Sequence, residues 1–338
     1  MFDKETIHQL FNRIKDLRVL IIGDVMIDAY LWGKVDRISP EAPVPVVALK
    51  KRENRLGGAA NVALNIQSMG ATPMLCAVIG QDEKGGQFLE LLKQRGMPTE
   101  GILRSSGRQT TVKFRIIGNN AQLLRVDEEH EHDLAAEETE ALFSHISGMV
   151  KAQKADVIIF EDYDKGVITS ELIGKVTDLA HESGIQVVVD PKKKNFLHYH
   201  RADLFKPNLK ELREGLKLDE EPESTEAIKK AIDVLQEKLD AQMVLATLSD
   251  KGILYQVKTN TGEPHFGHIP AHLRQIADVS GAGDTVISIA ALCLGAGASP
   301  DFTARLANLA GGIVCEQVGV VPVNREQLLK EALEILCK

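Results

Sequence analysis

The chain has 338 residues, 44% of them hydrophobic and 26% charged, which places it among ordinary globular proteins and excludes a disordered or fibrous chain. Forty Lys and Arg against 48 Asp and Glu give a net charge of −8, and only 4% of the residues are aromatic, so a nucleic-acid partner, an acidic membrane surface and base-stacking platforms are all disfavoured. A phosphorylated small molecule stays open, because a few local cations suffice to hold one. Cys76, Cys293, Cys315 and Cys337 show no CxxC pairing, the N-terminal stretch has no apolar signal core, and the uncharged run over 285–300 is too short to span a bilayer. The expectation is a cytoplasmic protein with no membrane contact.

Taken in order, short apolar runs that end in Gly, Asp, Pro or Asn alternate with longer runs of helical period. RVLIIGD (18–24) reads as a buried strand, followed by a segment with three prolines among β-branched residues (29–54). A helix over 58–69, the strand MLCAVIG and a helix over 83–95 come next. TTVKFRIIGNNAQLLRVDEE (110–129) has two alternating arms around Gly118, Asn119 and Asn120, a hairpin signal. Helices over 135–151, 169–183 and 224–239 then interleave with DVIIFED, IQVVVDP, ADLFKPN and MVLATLSD, and helices over 300–317 and 324–336 close the chain. This alternation predicts an α/β fold with a mostly parallel sheet covered by helices. The segments at about 29–50 and 108–128 are expected to form a small β layer off the main sheet. In parallel sheets the loops after the strand C-termini build the ligand site, which gathers Asp24, Asp162, Asp190, Asn208 and Asp250 on one rim.

The sharpest chemical signal is DVSGAGDT, 278–285, before an apolar helix. Backbone N–H groups of Gly281, Ala282 and Gly283 at a helix start suit a phosphoryl group, and Asp284 is placed to accept a proton from an attacking hydroxyl. The same residues also suit a plain helix cap with a tight glycine turn. No P-loop, protein-kinase motif pair or dinucleotide fingerprint is present in the sequence, and the histidines at 130, 132, 198 and 200 lack a well-spaced ligand set.

DVSGAGDT resembles the C-terminal signature of the ribokinase-like (PfkB) carbohydrate kinases, and GGAANVALNIQSMGA (57–71) their N-terminal one. The resemblance runs over nearly the whole chain. It implies a three-layer ribokinase-like sandwich with a β lid, ATP and Mg²⁺ as cofactors with room for a monovalent cation, and a homodimer formed through the lid. It makes Asp284 the catalytic base and Gly281, Ala282 and Gly283 the cradle of the transferring phosphate. It sets Asp24, Asp28, Gly57, Gly58 and Asn61 toward the sugar. KPNLKEL matches the element that holds Mg²⁺ through water, at Asn208 and Glu211. Thr247, Ser249, Gly252, Asn308 and Gly311, with Asn208, fall on the nucleotide side. Taken singly, Asn208 also suits a helix cap, and 249–252 a simple turn.

A narrower similarity, to bacterial heptose-7-phosphate kinases, is carried by GKVDRISPEAPVPVV, the hairpin, EDYDKG and DPKKKNF. It implies phosphorylation of the anomeric hydroxyl of D-glycero-β-D-manno-heptose 7-phosphate. Another sugar or sugar phosphate is the alternative. A phosphorylated sugar needs cations, for which Lys113, Arg115 and Arg125 on the hairpin and Lys165 and Lys192 on rim loops are candidates; hairpin cations also commonly face solvent. Glu161 and Lys193 depart from the small residues usual at those motif positions. The sequence has no HxGH-type adenylyltransferase motif, so the expectation is one kinase domain over 1–338, a stand-alone kinase or an isolated kinase half.

Overall fold

The computed structural model describes residues 2–119, 121–153, 155–222, 224–259 and 262–337; Asn120 of the expected hairpin turn lies outside them. Helix α1 (Lys4–Ile14), capped by Asp3, buries Ile7, Leu10, Phe11 and Ile14 at helical spacing. Strand β1 (Arg18–Gly23) follows, and its unbroken apolar run is buried on both faces, as a central parallel strand requires. Long strands β2 (Val25–Ile38) and β3 (Pro45–Gly58) then leave the body and return, delivering the chain to α2 (Ala59–Ser68). Next come β4 (Thr72–Gly80), α3 (Glu83–Gln94) and β5 (Ile102–Ser105), then the hairpin β6 (Val112–Gly118) and β7 (Ala121–Glu128).

The chain then alternates through α4 (Ala136–Gln153), β8 (Val157–Glu161), α5 (Ser170–Glu182), β9 (Gln186–Asp190), β10 (Leu204–Phe205), α6 (Leu209–Leu216), α7 (Thr225–Leu239) and β11 (Met243–Thr247). An antiparallel pair, β12 (Ile253–Val257) and β13 (His265–Ile269), precedes α8 (Ala282–Gly295), α9 (Pro300–Cys315) and α10 (Arg325–Ile335). Among the described residues a nine-stranded sheet runs β13-β12-β11-β10-β9-β8-β1-β4-β5, and a four-stranded sheet runs β3-β2-β6-β7. The first is parallel from β11 to β5, with one apolar cluster on each face, so its helices form two outer layers.

The expected helices stand within two residues of their sequence-derived bounds. The sequence reading did not separate β5, β12, β13 or α6. The second sheet is longer than expected. Its strands reach down to Val25 and Gly58, so that Asp28 and the Gly57–Gly58 pair belong to the lid sheet itself, paired across β2 and β3. The hairpin forms as expected, and Asn119 ties its turn to the backbone of Val35. Because side chains alternate across a strand, this sheet has two unlike faces. Residues Asp28, Tyr30, Lys113, Arg115 and Arg125 share one, and Phe114, Ile116, Leu124 and Val126 the other.

Candidate active site

Helix α8 starts at Gly281, whose φ of 78° is left-handed; a Cβ there would also come 2.9 Å from Asn61 Nδ2, so glycine is required twice over. Ala282 and Gly283 follow in the first turn, where N–H groups have no intrahelical acceptor, though Ala282 N is bonded to Val279 O at 3.3 Å. Asp284, one position later, is 5% exposed. Its Oδ2 accepts from Asn61 Nδ2 and its Oδ1 from the Tyr163 hydroxyl, both at 2.7 Å. Burial raises its pKa, while those two hydrogen bonds favour the ionised form. Asn61 is held in α2 by the same chain turn that carries Gly57 and Gly58, so the two glycine motifs, over two hundred residues apart in sequence, meet at one carboxylate.

Tyr163 comes from the loop after β8. Its ring lies 5.6 Å from Lys113 Nζ of the lid hairpin and 5.4 Å from Lys192 Nζ of the loop after β9. Two cations from different elements thus converge beside the group that holds Asp284. Burial pulls the Lys113 pKa down, whereas for Lys192 the carboxylates of Asp190 and Glu211 outweigh burial and push it up. Arg115 pairs with Asp28 and lies over the Tyr30 ring, which Arg55 also covers, at 4.9 Å. Arg55 carries no motif and passed unnoticed in sequence.

Other expected site residues are placed differently. Asp24 accepts three backbone N–H groups, from Tyr163, Lys165 and Val167, and so anchors the loop that carries Tyr163. Lys165 pairs with Glu129 and Glu131, and Arg125 with Asp127 at a half-exposed position; neither joins the Tyr163 cluster. Gly57 abuts the Asp28 carboxylate and Gly58 the backbone of Asp24. Asn208 and Glu211 form a reciprocal capping box on α6, and Glu211 also pairs with Lys192. Asn208 bridges to Thr247 at the end of β11. Ser249 opens a short 3-10 turn closed by Gly252, whose φ of 91° and lack of room (a Cβ would lie 2.1 Å from Ile269 O) admit only glycine. Asn308 donates to Pro270 O, and Gly311 lets α9 pass close to Val286 of α8.

Three strand-end or helix-start carboxylates meet beneath this group. Glu161, Asp190 and Asp284 each present an oxygen within 4.8 Å of the others. Lys206, 3% exposed, pairs with Asp190 at 2.9 Å. Burial, then the charges of Asp190 and Asp284, push Glu161 well above the usual carboxylate range. Gly283 faces this cluster: a Cβ there would lie 3.7 Å from Lys206 Nζ and 4.0 Å from Asp190 Oδ2. Of these residues the rim reading found Asp190. Lys206 had a visible signal, a charge inside the apolar run ADLFKPN, and Tyr163 lay in a quoted motif without an assigned role. Hard carboxylate oxygens, some unpartnered, fit a divalent cation, and the open first turn of α8 fits a phosphoryl oxygen.

A buried carboxylate beside a glycine-rich helix start, at the strand ends of a lidded parallel sheet, fits an α/β phosphotransferase acting on alcohols. Residues 16–327 match the model of the pfkB family carbohydrate kinases, and the chain belongs to that family. It is 38% identical over 327 residues to the bifunctional protein HldE of Desulfatibacillum aliphaticivorans, covering 96% of this chain and 65% of that protein. It is 40% identical over 311 residues to HldE of Helicobacter pylori, covering 92% and 65%. The chain thus spans slightly less than two thirds of these relatives. Among solved structures it resembles phosphofructokinase-2 from Escherichia coli in complex with potassium (TM-score 0.76, 17% identity, 96% and 99% of the two chains). It also resembles Arabidopsis thaliana ribokinase complexed with ribose and ATP (TM-score 0.68, 19% identity, 93% and 99%). The fold is ribokinase-like, and kinases of this family use ATP and a divalent metal. Among the described residues no helix is long and apolar enough to cross a membrane.

Proposed function

We propose that this chain transfers the γ-phosphoryl group of ATP to the anomeric hydroxyl of D-glycero-β-D-manno-heptose 7-phosphate, forming the 1,7-bisphosphate used for activated heptose in lipopolysaccharide synthesis. The observation that carries the reading is the convergence of Lys113 and Lys192 on Tyr163, whose hydroxyl holds Asp284. Cations on the ring of Tyr163, one residue removed from Asp284, suit an acceptor whose phosphate lies at the other end of the sugar from its reacting hydroxyl. The identity of 36–40% to HldE proteins, together with the lid and EDYDKG motifs, supports the heptose over other sugars.

Magnesium-bound ATP supplies the phosphoryl group and neutralises charge on its phosphates, with Glu161 and Asp190 placed to hold the metal directly and Asn208 and Glu211 to reach it through water. Asp284 receives the acceptor's proton; Asn61 and Tyr163 fix the carboxylate so that no rotamer search precedes the transfer. The N–H groups at the start of α8 stabilise charge on the migrating group. Asp28 and Arg115 on the lid sheet face the sugar, and Thr247, Ser249, Gly252, Asn308 and Gly311 line the nucleotide side. Closing the lid excludes water, which directs the phosphoryl group to the sugar. The apolar lid face, with Leu124 58% exposed and Val126 46% exposed, is where a second copy of the chain would dock to form a dimer.

The test is ADP release with heptose 7-phosphate, fructose 6-phosphate and ribose side by side. Turnover on the heptose at least about a hundredfold above the others is expected. Preference for fructose 6-phosphate or for a neutral sugar would keep the kinase and remove the heptose.

A further inference from the structure

Tyr30 and Arg55 belong to the lid strands β2 and β3, yet their polar groups bond outside the lid, to the segment 318–320 that follows α9. Arg55 Nη1 donates to the carbonyl oxygens of Val318 (3.4 Å) and Val320 (3.2 Å), and Val320 N–H donates to the Tyr30 hydroxyl oxygen at 3.3 Å. Glu53, at 2.7 Å, and the Tyr30 ring hold the guanidinium in this place. Gly319 leaves room for both side chains. Its φ is 76°, and a Cβ there would lie 2.7 Å from Arg55 Nη1 and 2.9 Å from the Tyr30 oxygen.

The same segment reaches the phosphoryl end of the site. Gly319 N–H donates to Asp278 Oδ2 and Ser280 N–H to Asp278 Oδ1, each at 2.9 Å. Val320 packs on the glycine turn, since a Cβ on Gly281 would come 3.2 Å from Val320 Cγ1. On the lid side Arg55 stands opposite Asp28 in the register of β2 and β3, and Asp28 pairs with Arg115, which also lies over the Tyr30 ring. One unbroken run of contacts thus leads from Asp28 and Arg115 through Tyr30 and Arg55 to 318–320, Asp278 and the start of α8.

We infer that Arg55 and Tyr30 are positioning residues, a latch that couples the charged face of the lid to the N–H groups at the start of α8. The inference rests on reading that face as the sugar side and the α8 start as the phosphoryl cradle. Asp284 is held separately, by Asn61 and Tyr163, so the latch acts on the phosphoryl end of the reaction. A sugar that draws Asp28 and Arg115 into place steadies Tyr30 and Arg55, and through 318–320 it steadies the turn that receives the γ-phosphoryl group. Donor and acceptor then bind more tightly together than apart.

The test uses the full chain, heptose 7-phosphate and a non-hydrolysable ATP analogue, with binding followed by calorimetry. In the wild type the sugar should tighten the analogue by about fivefold or more. In Arg55→Ala that factor should fall to about one, while the analogue's affinity without sugar stays within about twofold of the wild type. Its kcat should drop by about tenfold, the size of one hydrogen bond from a charged group. Arg55→Lys, which keeps a donor for the two carbonyls, should recover part of both losses. Tyr30→Phe keeps the ring and removes only the acceptor for Val320 N–H; it is the milder variant and should also lower the factor. Arg95→Ala removes a cation from the same cleft as Arg55 and should change neither quantity. An undiminished factor in Tyr30→Phe or in folded Arg55→Ala, an equal loss in Arg95→Ala, or weaker binding of the analogue without sugar in Arg55→Ala would each overturn the latch. ADP release by the wild type separates the two readings. Turnover on the heptose with no tightening removes the latch and leaves the proposed function standing, whereas no turnover on it removes both.

Discussion

The hydroxyl of Tyr163 donates to Oδ1 of Asp284 at 2.7 Å, so this buried carboxylate is gripped by a residue from a loop about 120 positions earlier in the chain. A hydrogen bond to a charged group contributes roughly 1.5–3 kcal/mol. If that grip serves the transfer step, Tyr163→Phe should lower kcat by about ten- to a hundredfold and leave the KM for ATP within about twofold. Asp284→Asn, which removes the proton acceptor, should cost about 10²–10⁴-fold. Steady-state ADP release measures both. An unchanged kcat in Tyr163→Phe would deny the tyrosine any positioning role.

The cations divide into two groups by what they touch. Lys113 and Lys192 flank Tyr163, whereas Arg125 is half-exposed and spends its charge on Asp127. Lys113→Ala should therefore raise the KM for a phosphorylated sugar by about tenfold or more, with little effect on the KM for ATP. Arg125→Ala should change either by less than about twofold. A larger effect at Arg125 than at Lys113 would place the sugar phosphate elsewhere on the lid. Lys192→Ala is a less clean variant, because it also strands Glu211.

Much of this arrangement was legible in the sequence, and what was not has physical reasons. The strands β1, β8, β9 and β11 were readable because burial on both faces demands unbroken apolar runs. Strand β10 keeps only two residues of its apolar run, since Lys206 immediately follows and turns inward to Asp190. Helix α6 was half legible: Asn208 also suited a helix cap, but its capping box with Glu211 coincides with a motif read for metal binding. The GAG turn and Asp284 were visible because left-handed backbone restricts residue choice at Gly281. Tyr163 was not, because a hydrogen bond between distant loops leaves no spacing to read. Asp24 stood on the right rim, but only coordinates reveal that three backbone N–H groups already occupy its carboxylate.

The burial of Asp24 has a pH consequence, which those three N–H groups only partly oppose. Asp24 titrates at about 6 in the fold, raised by burial and then by the neighbouring charge of Asp162, against about 3.9 in an unfolded chain. The folded state therefore holds the proton more tightly, so the stability linked to it is full below about pH 4 and is lost as pH rises through 6. The gap corresponds to roughly 3 kcal/mol. Asp24→Asn has no such titration. Melting temperatures of both proteins between pH 4.5 and 7.5 should show the wild type losing ground to the variant across that window and running parallel to it above. Parallel curves throughout would mean that Asp24 does not titrate there.

The lid sheet makes a prediction about assembly. Its strands alternate between a charged face, carrying Lys113 and Arg115, and an apolar face, carrying Phe114, Ile116, Leu124 and Val126. The outer part of that apolar face has Leu124 58% exposed and Val126 46% exposed, with Leu49 nearby in the same sheet at 43%. Apolar side chains exposed at neighbouring positions on a sheet favour burial against a partner, and a second copy offers the same surface by symmetry. Sedimentation velocity of the wild type should give a dimer, and Leu124→Lys with Val126→Lys should give a folded monomer, since both side chains are exposed in the single chain. The charged face would lose the stiffness that the partner lends it, so the double variant should also bind the sugar phosphate more weakly while its KM for ATP holds. A wild type that sediments as a monomer would remove the lid as an interface, and a dimer that survives both lysines would move the interface elsewhere.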